Sequence, residues 1–354
     1  MKAFISQNPF SLLVLALPVT LAAELMHWSP VAIFILACLG IIPMAAYIGE
    51  ATETLAHFTN PRFGALLNAT LGNAAELIIT ITAIRAGLLE LVKASIIGSI
   101  LGNLLFVLGF SMVVGGVKHG PQLFNRRSAS RNAVLLVLAV VAVGIPSVFS
   151  SSIGLENSSK VEALSLGVSI VMIVLYALGL FDASRINESP ITHETPPSFL
   201  PKYSIRQAIL ILVLATASVV WLSEVLVGVA EDVMIGLGIS EFFLGIILIP
   251  IIGNVAEHLV AVQMAAKNKM ELSVEIAVSS SLQIALFVAP LLVFISLAIG
   301  NPLQLVFNTF ELLALLVGVI ISALVSSDGE STWLEGASLL AVYFILGLAF
   351  FLLP

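Results

Sequence analysis

Charge is what this chain has least of. Asp, Glu, Lys and Arg make up 10% of its 354 residues and hydrophobic residues 59%, where an ordinary soluble domain carries about 25% charged residues. At about 20 residues per membrane span, the length allows on the order of ten to twelve helices and leaves no room for a separate soluble domain. The one cysteine, Cys38, lies in an apolar run, which excludes an intrachain disulfide and a cysteine metal cluster. No group of His and Cys has zinc or copper spacing. There is no long basic run with interleaved aromatics, so no nucleic acid partner is expected. A His-Glu-x-x-His pattern, an Asp-rich pair and a nucleophile beside a base are also missing, which leaves a metal-dependent intramembrane enzyme as a remote alternative.

What remains is apolar runs divided by polar residues, Gly and Pro. They predict eleven spans, near residues 8–26, 30–58, 62–86, 89–116, 130–150, 160–181, 204–230, 242–266, 270–298, 303–325 and 332–353. Pro18 and Glu24 interrupt the first run and another span follows at once, so it reads as a helix and not a signal peptide. Trp28, Trp221 and Trp333 fall near span ends, where an interfacial aromatic belt belongs. Only Arg85, Lys93 and Lys160 of the 14 basic residues lie on the face opposite the N-terminus. Basic residues are retained on the cytoplasmic side, so the N-terminus is expected in the cytoplasm and the C-terminus outside. Pro190, Pro196, Pro197 and Pro201 mark 183–203 as a cytoplasmic linker, with His193 a solvated loop residue. The expected units are an N-terminal helix (1–29), a first half (30–182), the linker and a second half (204–354).

Two apolar runs carry nearly the same polar words, Gly72-Asn73-Ala74-Ala75-Glu76 and Gly253-Asn254-Val255-Ala256-Glu257. A charged acid at mid-membrane costs about 2.5–3.5 kcal/mol on insertion scales, so each Glu is a functional-site candidate. An offset of 181 residues matches the motifs and, without a gap, also matches Glu90-Leu91 with Glu271-Leu272, Ser99 with Ser280, and Leu105-Phe106-Val107 with Leu286-Phe287-Val288. In the expected topology the two copies cross the membrane in opposite directions. Inverted repeats with Gly- or Pro-interrupted helices in corresponding positions point to the central site of a secondary transporter. Gly72 in one copy, and Pro250 with Gly253 in the other, are read as the interruptions, freeing backbone carbonyls toward an ion. Gly98, Gly102 and Gly109 taken singly read as helix packing.

Hard divalent cations take oxygen ligands, six to eight for calcium at about 2.3–2.6 Å. Two Glu side chains neutralise such an ion. Asn73 and Asn254 precede their Glu by three residues and share its helix face. Ser99 with Asn103, and Ser280 with Gln283, add neutral oxygens from the next span. Protons and metal then compete for the same carboxylate oxygens, which gives antiport once the site opens alternately to the two sides. Glu50 and Glu53 near one end, and Glu224, Glu231 and Asp232 near the other, are candidates for a proton or cation pathway. His258 is a candidate to tune Glu257.

The paired Gly-Asn-x-x-Glu helices, the Gly-Ser-Ile-Leu-Gly-Asn-Leu-Leu of 98–105 and the Ser-Ser-Ser-Leu-Gln-Ile-Ala-Leu of 279–286 resemble the signature repeats of the calcium/proton exchanger (CAX) family, within the calcium/cation antiporter superfamily. The resemblance implies an all-α integral membrane fold of about eleven helices, in two inverted repeats of about five plus an extra N-terminal helix. It implies that Glu76 and Glu257 exchange calcium for protons, and that backbone carbonyls around Gly72 and Gly253, with Asn73, Asn254, Ser99, Asn103, Ser280 and Gln283, complete or flank the site. Glu53 and Glu224 resemble the family's gating acids. No cofactor is implied. The partners are calcium, protons and the lipid bilayer, with a homo-oligomer, a trimer in some members. The regulatory N-terminus and the acidic inter-half segment of eukaryotic members are absent or reduced, which favours a prokaryotic plasma membrane. A sodium or potassium/proton antiporter, or sodium-coupled calcium exchange, is the alternative within transport.

Overall fold

The computed structural model describes residues 11–59, 61–154, 158–186 and 202–353. After a 3-10 turn at Ser11–Leu15 come helices α1 Ala16–Leu25, α2 Pro30–His57, α3 Pro61–Leu71, α4 Ala74–Ala86, α5 Leu89–His119, α6 Arg126–Ile153 and α7 Ser159–Ile186. The second half holds α8 Ile205–Gly228, α9 Ala230–Leu237, α10 Glu241–Ala266, α11 Met270–Ile299, α12 Thr309–Val325 and α13 Trp333–Leu352. Among the described residues eight helices, α2, α5 to α8, α10, α11 and α13, are long and apolar enough to cross a membrane, while α1 and α12 are shorter apolar helices. Most of the expected linker, residues 187–201, lies outside the described residues, as does His193.

Two contact sets define the ends of the molecule. At one, Lys118 Nζ donates to Ala266 O at 2.9 Å and Gln122 Nε2 to Asn268 Oδ1 at 2.8 Å. There the strand Gln122–Leu123 (β1) also pairs antiparallel with Glu330–Ser331 (β2). Lys118, Arg126, Arg127, Lys267 and Lys269 collect here, so this is the basic end. At the opposite end, Leu91 N donates to Glu241 Oε1 at 2.8 Å, Asn301 Nδ2 to Ile84 O at 3.0 Å and Lys93 Nζ to Val306 O at 3.0 Å. Helix α4 therefore climbs away from the basic end while α10 descends toward it. The two motif helices are antiparallel, as inverted copies require.

Three helices widen into π turns, at Gly102–Val107 in α5, Leu244–Leu248 in α10 and Ile284–Val288 in α11. Pro250 and Pro290 explain two of them. Each lacks an N–H and crowds the carbonyl four residues earlier, Ile246 or Leu286, and the helix absorbs this by widening. This corrects the expectation of a break at Pro250 and Gly253, because Ile249–Ala266 runs through both without interruption. The first copy does break, at Gly72 and Asn73 between α3 and α4. A second correction concerns the span expected over 303–325. Its first residues are non-helical, and the helix starts at Thr309 under a capping box in which Asn308 accepts from the Glu311 amide and Glu311 returns to the Asn308 amide.

The interior centres on α5, where Leu91 to Leu105 are buried all round, while α6, α7 and α13 expose apolar side chains such as Leu138, Phe149, Leu178 and Phe344. Gly98 lets α5 cross α10 closely, since a Cβ there would clash with the Ile246 backbone. Gly109 approaches the Gly336 carbonyl in the same way, whereas Gly102 meets nothing and opens the π turn instead. Because the Ile246 neighbour is main chain and cannot turn away, Gly98→Leu is expected to cost at least about 3 kcal/mol. Size-exclusion chromatography in detergent should show the folded peak lost.

Candidate cation site

The site lies where four helices meet at mid-depth. The break at Gly72 and Asn73 lets α4 begin there, and Glu76 falls in its first turn. Free amides and the positive end of the helix dipole favour a carboxylate at such a position. Glu76 is 4% exposed. Its Oε1 accepts from Ser99 Oγ of α5 at 2.7 Å and from Asn254 Nδ2 of α10. Asn254 also donates to Pro250 O at 3.1 Å, which fixes its amide. Glu257 sits mid-helix in α10, is part-exposed, and accepts a hydrogen bond from Ser280 of α11. The two acids feel each other's charge. Each also lies against the other motif's glycine: a Cβ on Gly253 would be 3.0 Å from Glu76 Cγ, and one on Gly72 would be 3.7 Å from Glu257 Oε1.

The neutral residues form a frame around this pair. Asn73 Nδ2 donates to Gln283 Oε1 at 2.8 Å, and Asn103 Nδ2 to Ser280 Oγ at 3.0 Å. His258 Nε2 lies 3.2 Å from Asn103 Oδ1. A hydrogen-bonded chain thus runs from His258 through Asn103 and Ser280 to Glu257, so His258 acts on the acid through two intermediates and does not touch it. Glu76 Oε2 and Glu257 Oε2 are buried acceptors with no hydrogen-bond partner. Orphan carboxylate oxygens are costly unless an ion or proton satisfies them, and this donor set of oxygens alone suits a hard cation and not a soft one.

The flanking acids separate into two groups. Glu53 of α2 is part-exposed and its charge reaches Glu257; that of Glu50 reaches Glu53. Glu50 and Glu53 lie three residues apart on one face of α2, so they join Glu257 and Glu76 in one acidic cluster. Glu50 Oε1 accepts from Lys202 Nζ and its Oε2 from Tyr203 OH, both at 2.9 Å. Burial and the Glu50 carboxylate push the Tyr203 phenol up, so it remains a donor. At the opposite end Glu224 pairs with Arg85 at 3.6 Å, both exposed. Glu231 and Asp232 do not continue α8 as expected. They lie exposed on the separate short helix α9, which forms because the chain turns at Val229, and the structure brings neither to the site.

The family model for sodium/calcium exchanger proteins matches residues 29–182 and 207–352, the two halves that carry these motifs. The chain belongs to that family. Within the exchanger family it is 45% identical to the Ca2+/H+ antiporter ChaA of Bacillus subtilis (strain 168), over 97% of this chain and 99% of that one. It is 43% identical to a Ca2+/H+ antiporter of Aphanothece halophytica, over 97% and 96%. The solved structure of native YfkE superposes with a TM-score of 0.85 at 44% identity, covering 97% of this chain and 100% of that one. The H+/Ca2+ exchanger CAX superposes with a TM-score of 0.76 at 14% identity over 97% and 91%, which speaks for the fold alone. The resemblance read from the repeats is borne out, as are a multi-pass membrane exchanger with inverted repeats and a secondary transporter in place of an enzyme.

Sequence reasoning missed the asymmetry between the copies. Glu76 opens a helix while Glu257 interrupts none. Lys202 and Tyr203 were also missed, for they sit outside any motif.

Proposed function

We propose that this chain is a calcium/proton antiporter that expels cytoplasmic calcium against inward proton flow, with Glu76 and Glu257 as the shared exchange site. Two buried carboxylate oxygens without partners, supplied by opposite halves of the chain, carry this reading. A divalent ion satisfies both at once and cancels both charges. When it leaves, protons take the same oxygens, so the membrane-crossing forms stay near neutral whichever guest is aboard. Asn254 and Ser99 hold Glu76 in place, Ser280 holds Glu257, and Gln283 with Asn103 keeps the neutral frame fixed. The curated relatives named as Ca2+/H+ antiporters support the choice of calcium.

In this reading the basic end faces the cytoplasm, the N-terminus is cytoplasmic and the C-terminus outside. The fold counts eleven spans: α3 and α4 together make one broken span, and α1 stands outside two inverted sets of five. The setting is a plasma membrane and the assembly a homo-oligomer. The part-exposure of Glu257 and Glu53 and the exposure of Gly72 support a resting state open toward the basic end. The test is isotopic calcium uptake into everted vesicles. Uptake should collapse with the pH gradient and persist in sodium- and potassium-free buffer. Uptake that survives a protonophore but needs sodium would replace this reading with sodium-coupled exchange.

A further inference from the structure

We propose that Lys202 is a tethered competitor for cations at the basic-end mouth and thereby sets the apparent calcium affinity on that side. The inference rests on the calcium/proton reading above. Glu50 and Glu53 lie three residues apart on one face of α2, and Lys202 stands at Glu50. Its ammonium is 2.9 Å from Glu50 Oε1, and Tyr203 takes Glu50 Oε2 at the same distance, so neither oxygen of Glu50 is open to an incoming ion. The Lys202 charge also reaches Glu53, whose own charge reaches Glu257. One tethered cation therefore opposes a divalent guest at the acids that flank the site on this side.

The pair is poorly suited to a structural role. Its side chains are 54% and 26% exposed, and ion pairs of that exposure add little to stability. A lysine on its flexible stem swings aside at small cost, which a rigid bidentate arginine clamp would not do. An incoming cation that wins Glu50 displaces the ammonium outward, and when the cation has passed inward the ammonium returns. Lys202 is the penultimate residue of the linker between the two halves, so the chain segment joining them carries the group that stands at Glu50.

The experiment is calcium uptake into everted vesicles, with the basic end facing the medium, measured as KM and Vmax in low salt and in about 1 M choline chloride. Lys202→Gln is expected to lower KM about three- to tenfold in low salt, the effect of one nearby charge on a divalent ion, with Vmax changed less than about twofold. The difference should vanish in high salt, where the Debye length is about 3 Å. Lys202→Arg, which clamps Glu50 more rigidly, should hold KM at or above the wild-type value, and Lys202→Gln placed in a Glu50→Gln background should shift KM far less than it does alone. A KM for Lys202→Gln equal to or above wild type, or a fall that high salt leaves intact, overturns the proposal. Wild-type vesicles that take up no calcium would overturn the antiport reading instead, so the two failures are distinct.

Discussion

Glu76→Gln and Glu257→Gln are each expected to abolish proton-driven calcium uptake while the protein still folds. Gln keeps the shape and one acceptor oxygen of Glu, so the Ser99 and Asn254 bonds to position 76, and the Ser280 bond to position 257, have an acceptor to return to. What disappears is one of two negative charges facing a divalent ion. Ligand charge count moves calcium affinity by orders of magnitude, and a partly neutralised ion in a site of low dielectric bears the full desolvation cost. Loss of about two orders of magnitude or more in calcium uptake is expected for either variant, with an unchanged elution volume in detergent. Retained exchange in either one removes that Glu from the site.

The two variants should differ in what they leave behind. Glu76 is fully enclosed, is held by two donors and sits where a helix start already favours a negative charge. Glu257 has no helix terminus beside it, is part-exposed and feels the charge of Glu53. In the antiport proposed above, the more exposed Glu257 therefore meets an arriving ion first, and Glu76 completes its coordination. This division of labour comes from the break at Gly72 in one copy and the continuous helix in the other, although the two motifs are spelled almost alike.

That contrast marks what the sequence could and could not reveal. The site was legible because polar residues at membrane depth are expensive, so Asn73, Glu76, Asn254 and Glu257 stood out against the apolar runs and repeated at one offset. The antiparallel relation of the copies followed from the number of spans between them and the distribution of basic residues. The π turns were legible only in part: Pro250 and Pro290 announce the loss of a helix bond four residues earlier, but a widened turn and a broken helix are equal answers to that loss in one dimension. Gly102–Val107 has no proline after it, yet it falls opposite Ile284–Val288 under the repeat offset, so packing across the pseudo-symmetry sets it and not local composition. The pairing of Lys202 with Glu50 joins the linker to the first half, and no periodicity signals it.

The close approach at Gly253 gives the second large effect. A Cβ at this position lies 3.0 Å from Glu76 Cγ, closer than ordinary contact, while helix α10 itself has no left-handed or broken geometry there that would demand glycine. The residue is small for the sake of the carboxylate and not of the backbone. Gly253→Ala adds one methyl, which a shift of a few tenths of an ångström in Glu76 accommodates, so a raised calcium KM with most of Vmax retained is expected. Gly253→Val adds branches that must displace Glu76 from Ser99 and Asn254. Overpacking of this kind costs about 1–3 kcal/mol, and here it falls on the liganding group, so uptake should fall about tenfold to a hundredfold while thermal stability in detergent changes little. Equal activity in glycine, alanine and valine forms would mean that Glu76 does not occupy its place beside α10 during transport.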